Sequence, residues 1–240
     1  HPDRCRELLQ RLQSAGITGL AVPHTRILPT TGQGTFPDLP EQGWLAFTSI
    51  SAVEIFAREL QSHGSALPVG LKVAAVGKLT AGSVERLLQV IPLVPQRPGG
   101  ISLAASLAAA SDPHSRPIVF WPCAYQVAVG FQENLVAAGF QVLRWPLYKT
   151  LLRPRAALLK DLLAVFPWQL ALFTAPSAVS AHHASFPDPW RRRCLAIGNT
   201  TANALLQAGC PGTVLSIAVD PEDIFREIVT NLDQEDLPGQ

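Results

Sequence analysis

Apolar residues in this chain recur in two rhythms. One has the three-to-four-residue spacing of an amphipathic helix. Arg4–Ala15 and Gln132–Ala138 both carry it, and each runs into a glycine, Gly16 or Gly139, suited to the left-handed residue just past a helix end. The other rhythm is a short unbroken apolar run: LAFTS (Leu45–Ser49), VAAVG (Val73–Gly77), PIVFWP (Pro117–Pro122), ALFT (Ala171–Thr174) and LAIG (Leu195–Gly198). Runs of this length without alternation predict strands buried on both faces. LAFTS and ALFT each lead to a serine that suits an N-cap, and VAAVG and LAIG each pass through glycine into a helix headed by threonine. Strands alternating with helices predict a parallel sheet.

The pattern also repeats. Leu8–Pro23 matches Phe131–Pro146 at an offset of 123 residues, Leu45–Val53 matches Ala171–Val179 at 126, and Ala74–Ala81 matches Leu195–Ala202 at 121. Within them Leu12 falls on Leu135, Ala15 on Ala138, Gly16 on Gly139 and Pro23 on Pro146. Three matches in one order at nearly constant offset mark an internal duplication. The predicted fold class is α/β, with two similar parallel-sheet domains and a ligand cleft between them. The second copy opens with the strand Pro117–Pro122, to which nothing corresponds before the first helix. A strand is therefore expected to be missing from the N-terminus of the chain as given, and the absence of any Met agrees with that.

Composition narrows the function. Hydrophobic residues make up 48% and charged residues 15%, a globular balance. Lys+Arg 19 against Asp+Glu 18 leaves a net charge of +1, so neither nucleic acid nor an anionic membrane is the expected partner. The most apolar stretch, Leu162–Ala175, is broken by Pro167 and Gln169 and is too short to span a bilayer. Cys5, Cys123, Cys194 and Cys210 are far apart without a CxxC pair, which argues against a metal site and for reduced thiols in a cytoplasmic protein. The N-terminal residues Arg4, Arg6 and Glu7 do not resemble a secretion signal.

The duplicated polar residues fall where strands end and helices begin: Thr48, Ser49 and Ser51; Thr174 and Ser177; Thr80; Thr200 and Thr201. Open parallel sheets gather ligands at the carboxyl ends of their strands, and a helix start offers N–H groups to a carboxylate or phosphate. Four such starts suit a ligand with several acidic arms, although capping alone accounts for each residue equally well. Tyr148 opens the run Tyr148-Lys149-Thr150 after the matched Pro146; spacing favours core packing for it over a hydrogen-bonding role at the cleft. Other candidates fall away. Gly32 and Gly34 lie in a turn-rich loop without strand–helix context, and neither GxxxxGK[ST] nor GxSxG occurs. His182 and His183 point roughly 100° apart on a helix and are read as solvated surface. Arg191–Arg193 reads as a solvated loop, and Asp220, Glu222 and Asp223 as acids at a helix start.

Taken in order, LAFTSISAVEIF, VAAVGKLTA, LYKT (Leu147–Thr150), LALFTAPSAV and LAIGNTTANAL resemble the uroporphyrinogen-III synthase family over nearly the whole chain. The resemblance implies interleaved domains, residues 1–25 with 152–240 and residues 26–151. A two-stranded antiparallel linker near Val22–Pro29 and Pro146–Arg153 would join them. It implies closure of hydroxymethylbilane to uroporphyrinogen III with inversion of ring D through a spiro intermediate, without metal or organic cofactor. The expected protein is a cytoplasmic monomer acting on a small molecule. By resemblance, Tyr148 assists departure of the substrate hydroxyl. Thr48, Ser49, Ser51, Thr80, Ser102, Thr174, Ser177, Thr200 and Thr201 fall on positions that bind its acetate and propionate arms. The chain departs from the family after PIVFWP, where a Gly and an Arg are usual and Pro122-Cys123-Ala124-Tyr125-Gln126-Val127 stands instead. That departure motivates one alternative, a non-catalytic tetrapyrrole-binding or regulatory module of the same fold. The duplicated two-lobed plan motivates another, a solute-binding protein.

Overall fold

Leu8 and Leu12, one helical turn apart, form the buried stripe of the first helix, and Gly16 at φ +75° ends it. The fold comes from a computed structural model that describes residues 5–30, 36–112, 117–165, 167–186, 193–210, 213–216 and 221–232. The elements in chain order are α1 (Arg6–Ser14), β1 (Thr25–Pro29), β2 (Gln42–Phe47), α2 (Ile50–Ser62), β3 (Gly70–Ala75), α3 (Lys78–Leu88), α4 (Gly100–Ala109), β4 (Ile118–Ala124) and α5 (Phe131–Ala137). They continue with β5 (Gln141–Leu152), α6 (Arg155–Leu163), β6 (Leu170–Phe173), α7 (Pro176–Ser185), β7 (Arg193–Ile197), α8 (Asn199–Gln207), β8 (Thr213–Ser216) and α9 (Pro221–Leu232). The chain divides into two compact units, His1–Arg26 with Leu151–Gln240, and Ile27–Thr150. Of the residues singled out above, Arg4, Gly32, Gly34, Arg191, Arg192 and Asp220 lie outside the described set.

The middle unit is built on a sheet of order β1-β5-β4-β2-β3. Strands β5, β4, β2 and β3 pair in parallel, and Leu93 extends the β3 edge by a parallel bridge to Ala74. The unbroken apolar runs have the cause inferred for them, since both faces of this sheet are covered. Leu45, Phe47, Val73 and Phe120 face α2 and α3, with Val53, Phe56 and Val84. The alternate residues Trp44, Ala46, Ala74, Val119 and Trp121 face α4 and α5, with Leu103, Leu107 and Leu135. Phe47 and Phe56 are fully buried, and each contributes about 1.5–3 kcal/mol through burial. At the sheet's other edge, Thr30 N–H donates to Leu147 O and Arg153 N–H donates to His24 O, the pattern of an antiparallel β1–β5 pair.

The unit formed by the two ends of the chain repeats this plan. Its parallel sheet has the order β6-β7-β8. Cys194 and Ala196 face α7 and α8 in one core, and Leu195 packs with Leu8, Leu12, Ile224 and Ile228 of α1 and α9 in the other. Element order matches as well: β2-α2-β3-α3 is echoed by β6-α7-β7-α8. The α4–α5 packing of one unit has its counterpart in the α1–α9 packing of the other.

Several details differ from expectation. Ser49 caps α2, but its counterpart position in the second copy is Ala175, whose backbone is extended and which offers no side-chain cap. Ser177 lies one residue past the Pro176 that opens α7 and is exposed, so it does not cap that helix. His182 is not solvated surface; it is 5% exposed and packs among the rings of His24, Phe173 and Phe186. Neighbouring helix positions diverge, but only packing decides which face turns inward; His183 is half-buried as well. Arg193 is not in a solvated loop either; half-buried, it opens β7 and donates to Asn231 O at 2.6 Å, which ties that strand to α9.

Candidate active site

At the carboxyl edge of the middle unit's sheet, β2 leads into Thr48 and Ser49, and β5 carries Tyr148 into the core facing α2 and α3. The β4–β5 register slips between Cys123 and Ala124, so that Cys123 pairs with Pro146 and Ala124 with Tyr148. The slip lets the successive residues Leu147 and Tyr148 both enter the core facing α2 and α3. The Tyr148 ring is 5% exposed, as its spacing suggested, yet its hydroxyl meets Ser49 Oγ at 2.8 Å. Ser49 Oγ also accepts from Ala52 N–H at 3.1 Å, as the N-cap of α2. With that lone pair used, the arrangement suits a Ser49 O–H donating to the Tyr148 oxygen. Trp121 Nε1–H, from the core on the other sheet face, donates to Thr48 Oγ1 at 3.1 Å.

The other sequence-selected residues fall into distinct positions. Ser51, in the first turn of α2, is half-buried. Thr80 is 4% exposed in the first turn of α3, and its repeat partner Thr201 is 1% exposed in the first turn of α8. Both side chains are thus packed inward in the first turns of their helices, and Thr201 N–H donates to Gly198 O at 3.2 Å. Ser102, half-buried, follows Gly99 and Gly100 at the start of α4. In the unit formed by the chain ends, Thr174, Ser177 and Thr200 are exposed after β6 and β7. Within the middle unit, then, Ser49 and Tyr148 meet as one hydroxyl pair, Thr48 binds Trp121 of the core on the other sheet face, and Thr80 and Ser102 stand at separate helix starts.

Sequence reasoning missed several neighbours of Tyr148. Tyr125 N–H donates to Tyr148 O at 2.7 Å, and Lys149 Nζ lies 4.8 Å from the centre of the Tyr125 ring. Arg144 donates to the carbonyls of Ala124 at 3.5 Å and Tyr125 at 3.2 Å, and its guanidinium lies over Trp121. The only linear signal is adjacency: Lys149 follows Tyr148, and Tyr125 lies in the segment after PIVFWP. An open hollow of about 530 Å³ lies elsewhere, along α1 and α9, and holds none of these residues. Among the described residues, no group of three His, Cys, Asp or Glu side chains is placed to hold a metal, and no helix is long and apolar enough to cross a membrane.

Two units, each built on a parallel sheet with hydroxyl-bearing residues after its strand ends and at its helix starts, define a two-unit α/β protein. A structure described as uroporphyrinogen-III synthetase from Helicobacter pylori aligns with a TM-score of 0.66 at 18% identity, covering 91% of this chain and 94% of that one. A mutant uroporphyrinogen III synthase from Thermus thermophilus aligns with a TM-score of 0.58 at 17% identity, covering 97% and 96%. The family model for uroporphyrinogen-III synthase HemD matches residues 6–226, and the chain belongs to this enzyme family.

Proposed function

We propose that this protein closes hydroxymethylbilane to uroporphyrinogen III with inversion of ring D, a cyclising step of tetrapyrrole and haem biosynthesis. The family match over residues 6–226 carries the reading. In this proposal Tyr148 hands its proton to the departing hydroxyl, directly or through one water, so that water leaves and an azafulvene remains. Ser49 O–H, 2.8 Å away, steadies the phenolate oxygen left behind. The substituted carbon of ring D attacks, the spiro intermediate fragments, and the ring recloses at its other α-carbon. The proton lost at that last step restores the phenol. Simple closure without the enzyme gives the uninverted type I isomer, so the protein's main contribution is to hold the chain in the inverting geometry.

The substrate's acetate and propionate arms are assigned to Thr48, Ser51 and Ser102 in one unit and to Thr174, Ser177 and Thr200 in the other. Thr80 and Thr201 act by shaping helix starts whose N–H groups take an anionic arm. Ser49 serves both Tyr148 and the α2 start. We also infer a cytoplasmic monomer that uses no metal or organic cofactor. The deciding experiment generates hydroxymethylbilane in situ, adds the protein, and separates the oxidised porphyrins by chromatography. Type III as the main isomer is expected; type I alone at the spontaneous rate would overturn the reading.

A further inference from the structure

The mechanism above leaves unused a pair of side chains directly beside Tyr148. Lys149 is exposed, and its Nζ rests 4.8 Å from the centre of the Tyr125 ring, itself 59% exposed. An ammonium at that distance is held by the ring quadrupole while its remaining N–H donors stay open to a ligand. Both members are tied to the candidate acid: Lys149 is its chain neighbour, and Tyr125 N–H donates to Tyr148 O at 2.7 Å. The backbone under Tyr125 is fixed a second time, since Arg144 donates to Ala124 O and Tyr125 O and stacks over Trp121. Among the described residues no carboxylate pairs with Lys149. A cation fixed in place without an acidic partner, at the carboxyl edge of a parallel sheet, is pre-organised for an acidic ligand.

We propose that Lys149 is a specificity-determining residue that pairs with one carboxylate arm of the substrate, and that Tyr125 positions its ammonium. The inference rests on the synthase reading of this site and adds to it a named ionic contact next to the departing hydroxyl.

Steady-state kinetics with enzymatically generated hydroxymethylbilane tests it. Lys149→Ala is expected to raise KM roughly five- to tenfold, with kcat changed less, as for loss of one partly screened ion pair. Lys149→Arg is expected to restore most of the affinity, and Tyr125→Phe, which keeps the ring, to raise KM less than Tyr125→Ala does. Tyr125→Ala is expected to share the KM defect. Raising ionic strength is expected to raise the wild-type KM more steeply than that of Lys149→Ala. Quenching of tryptophan fluorescence by uroporphyrin III gives the same comparison without turnover. An unchanged KM and an unchanged porphyrin affinity in Lys149→Ala overturn the inference, as does a defect that Lys149→Arg fails to rescue. A wild type that yields only type I isomer overturns the synthase reading instead, and the fluorescence titration then still decides the role of Lys149.

Discussion

His182 Nδ1 lies 2.7 Å from His24 Nε2, joining α7 to the segment just before β1 within one unit. His24 Nδ1 lies 3.0 Å from the carbonyl of Val22 and donates to it, which fixes the tautomer. The Nε2 of His24 is therefore the acceptor, and His182 Nδ1–H is the donor. A second proton on His24 would set two N–H groups face to face. Around the pair stand Arg153, which donates to Pro23 O and to Asp161, then His183, and Arg155 over the Phe186 ring.

Burial, then the neighbouring imidazoles of His24 and His183, push His182 down from 6.5 to about 4. Burial also lowers His24, opposed by its bond to Val22 and aided by Arg153. The folded state thus binds fewer protons than the unfolded chain at mildly acid pH. The stability that depends on neutral rings is complete above the ordinary value of 6.5 and is lost as pH falls toward 4. The expected loss is about 1–2 kcal/mol after solvent screening. Thermal unfolding between pH 7.5 and 4.5 checks it: His182→Phe, which retains a ring in the cluster, is expected to show a flatter dependence than wild type.

Tyr148→Phe removes the proton donor and keeps the ring that fills the core. Type III formation is expected to fall roughly 10²–10⁴-fold, the usual worth of a general acid. Folding stability is expected to drop by only about 1 kcal/mol through the lost bond to Ser49. Isomer analysis and urea unfolding of the same preparation separate the two effects.

Ser49→Ala removes the α2 cap and the partner of Tyr148 together. A destabilisation of about 1–2 kcal/mol is expected, with slower turnover. Ser177, the serine after β6, is exposed and past the cap position, and it is expected to tolerate alanine to within about 0.5 kcal/mol. Denaturant midpoints of the two variants make the comparison; equal losses would contradict the asymmetry.

Gly43 in β2 has φ +119°, and a Cβ there would collide with the carbonyl oxygen of Ile118 in β4. Both the conformation and the close approach require glycine. Gly43→Ala is expected to cost about 2–3 kcal/mol, read as a lower urea midpoint. Gly139, at φ +87° with open space around its would-be Cβ, is expected to lose less on the same substitution.

Thiol labelling offers a check on the cores. Burial raises the Cys123 thiol against the opposing Arg144, and burial, then the bond to Cys210, raises that of Cys194. Half-buried Cys5 is expected to react with iodoacetamide first, and Cys123, Cys194 and Cys210 only on unfolding, as peptide mapping of the alkylated protein reports.

The linear chain was sufficient for the helices ending at Gly16 and Gly139, for the parallel strands, and for the repeat, because these follow from local periodicity and backbone conformation. It also carried the family, through motifs whose order survives at low identity. What it left undecided was which side of an element packs inward and which distant side chains meet. Ser177, following ALFT, suited an N-cap until α7 began at Pro176 behind the extended Ala175, and His182 looked like surface until α7 turned it toward His24, 158 residues away. The meeting of Ser49 with Tyr148, and of Lys149 with Tyr125, depends on strand register and on the slip between Cys123 and Ala124. Such contacts between distant residues are set by how strands pair and helices pack, and composition and spacing do not encode them locally.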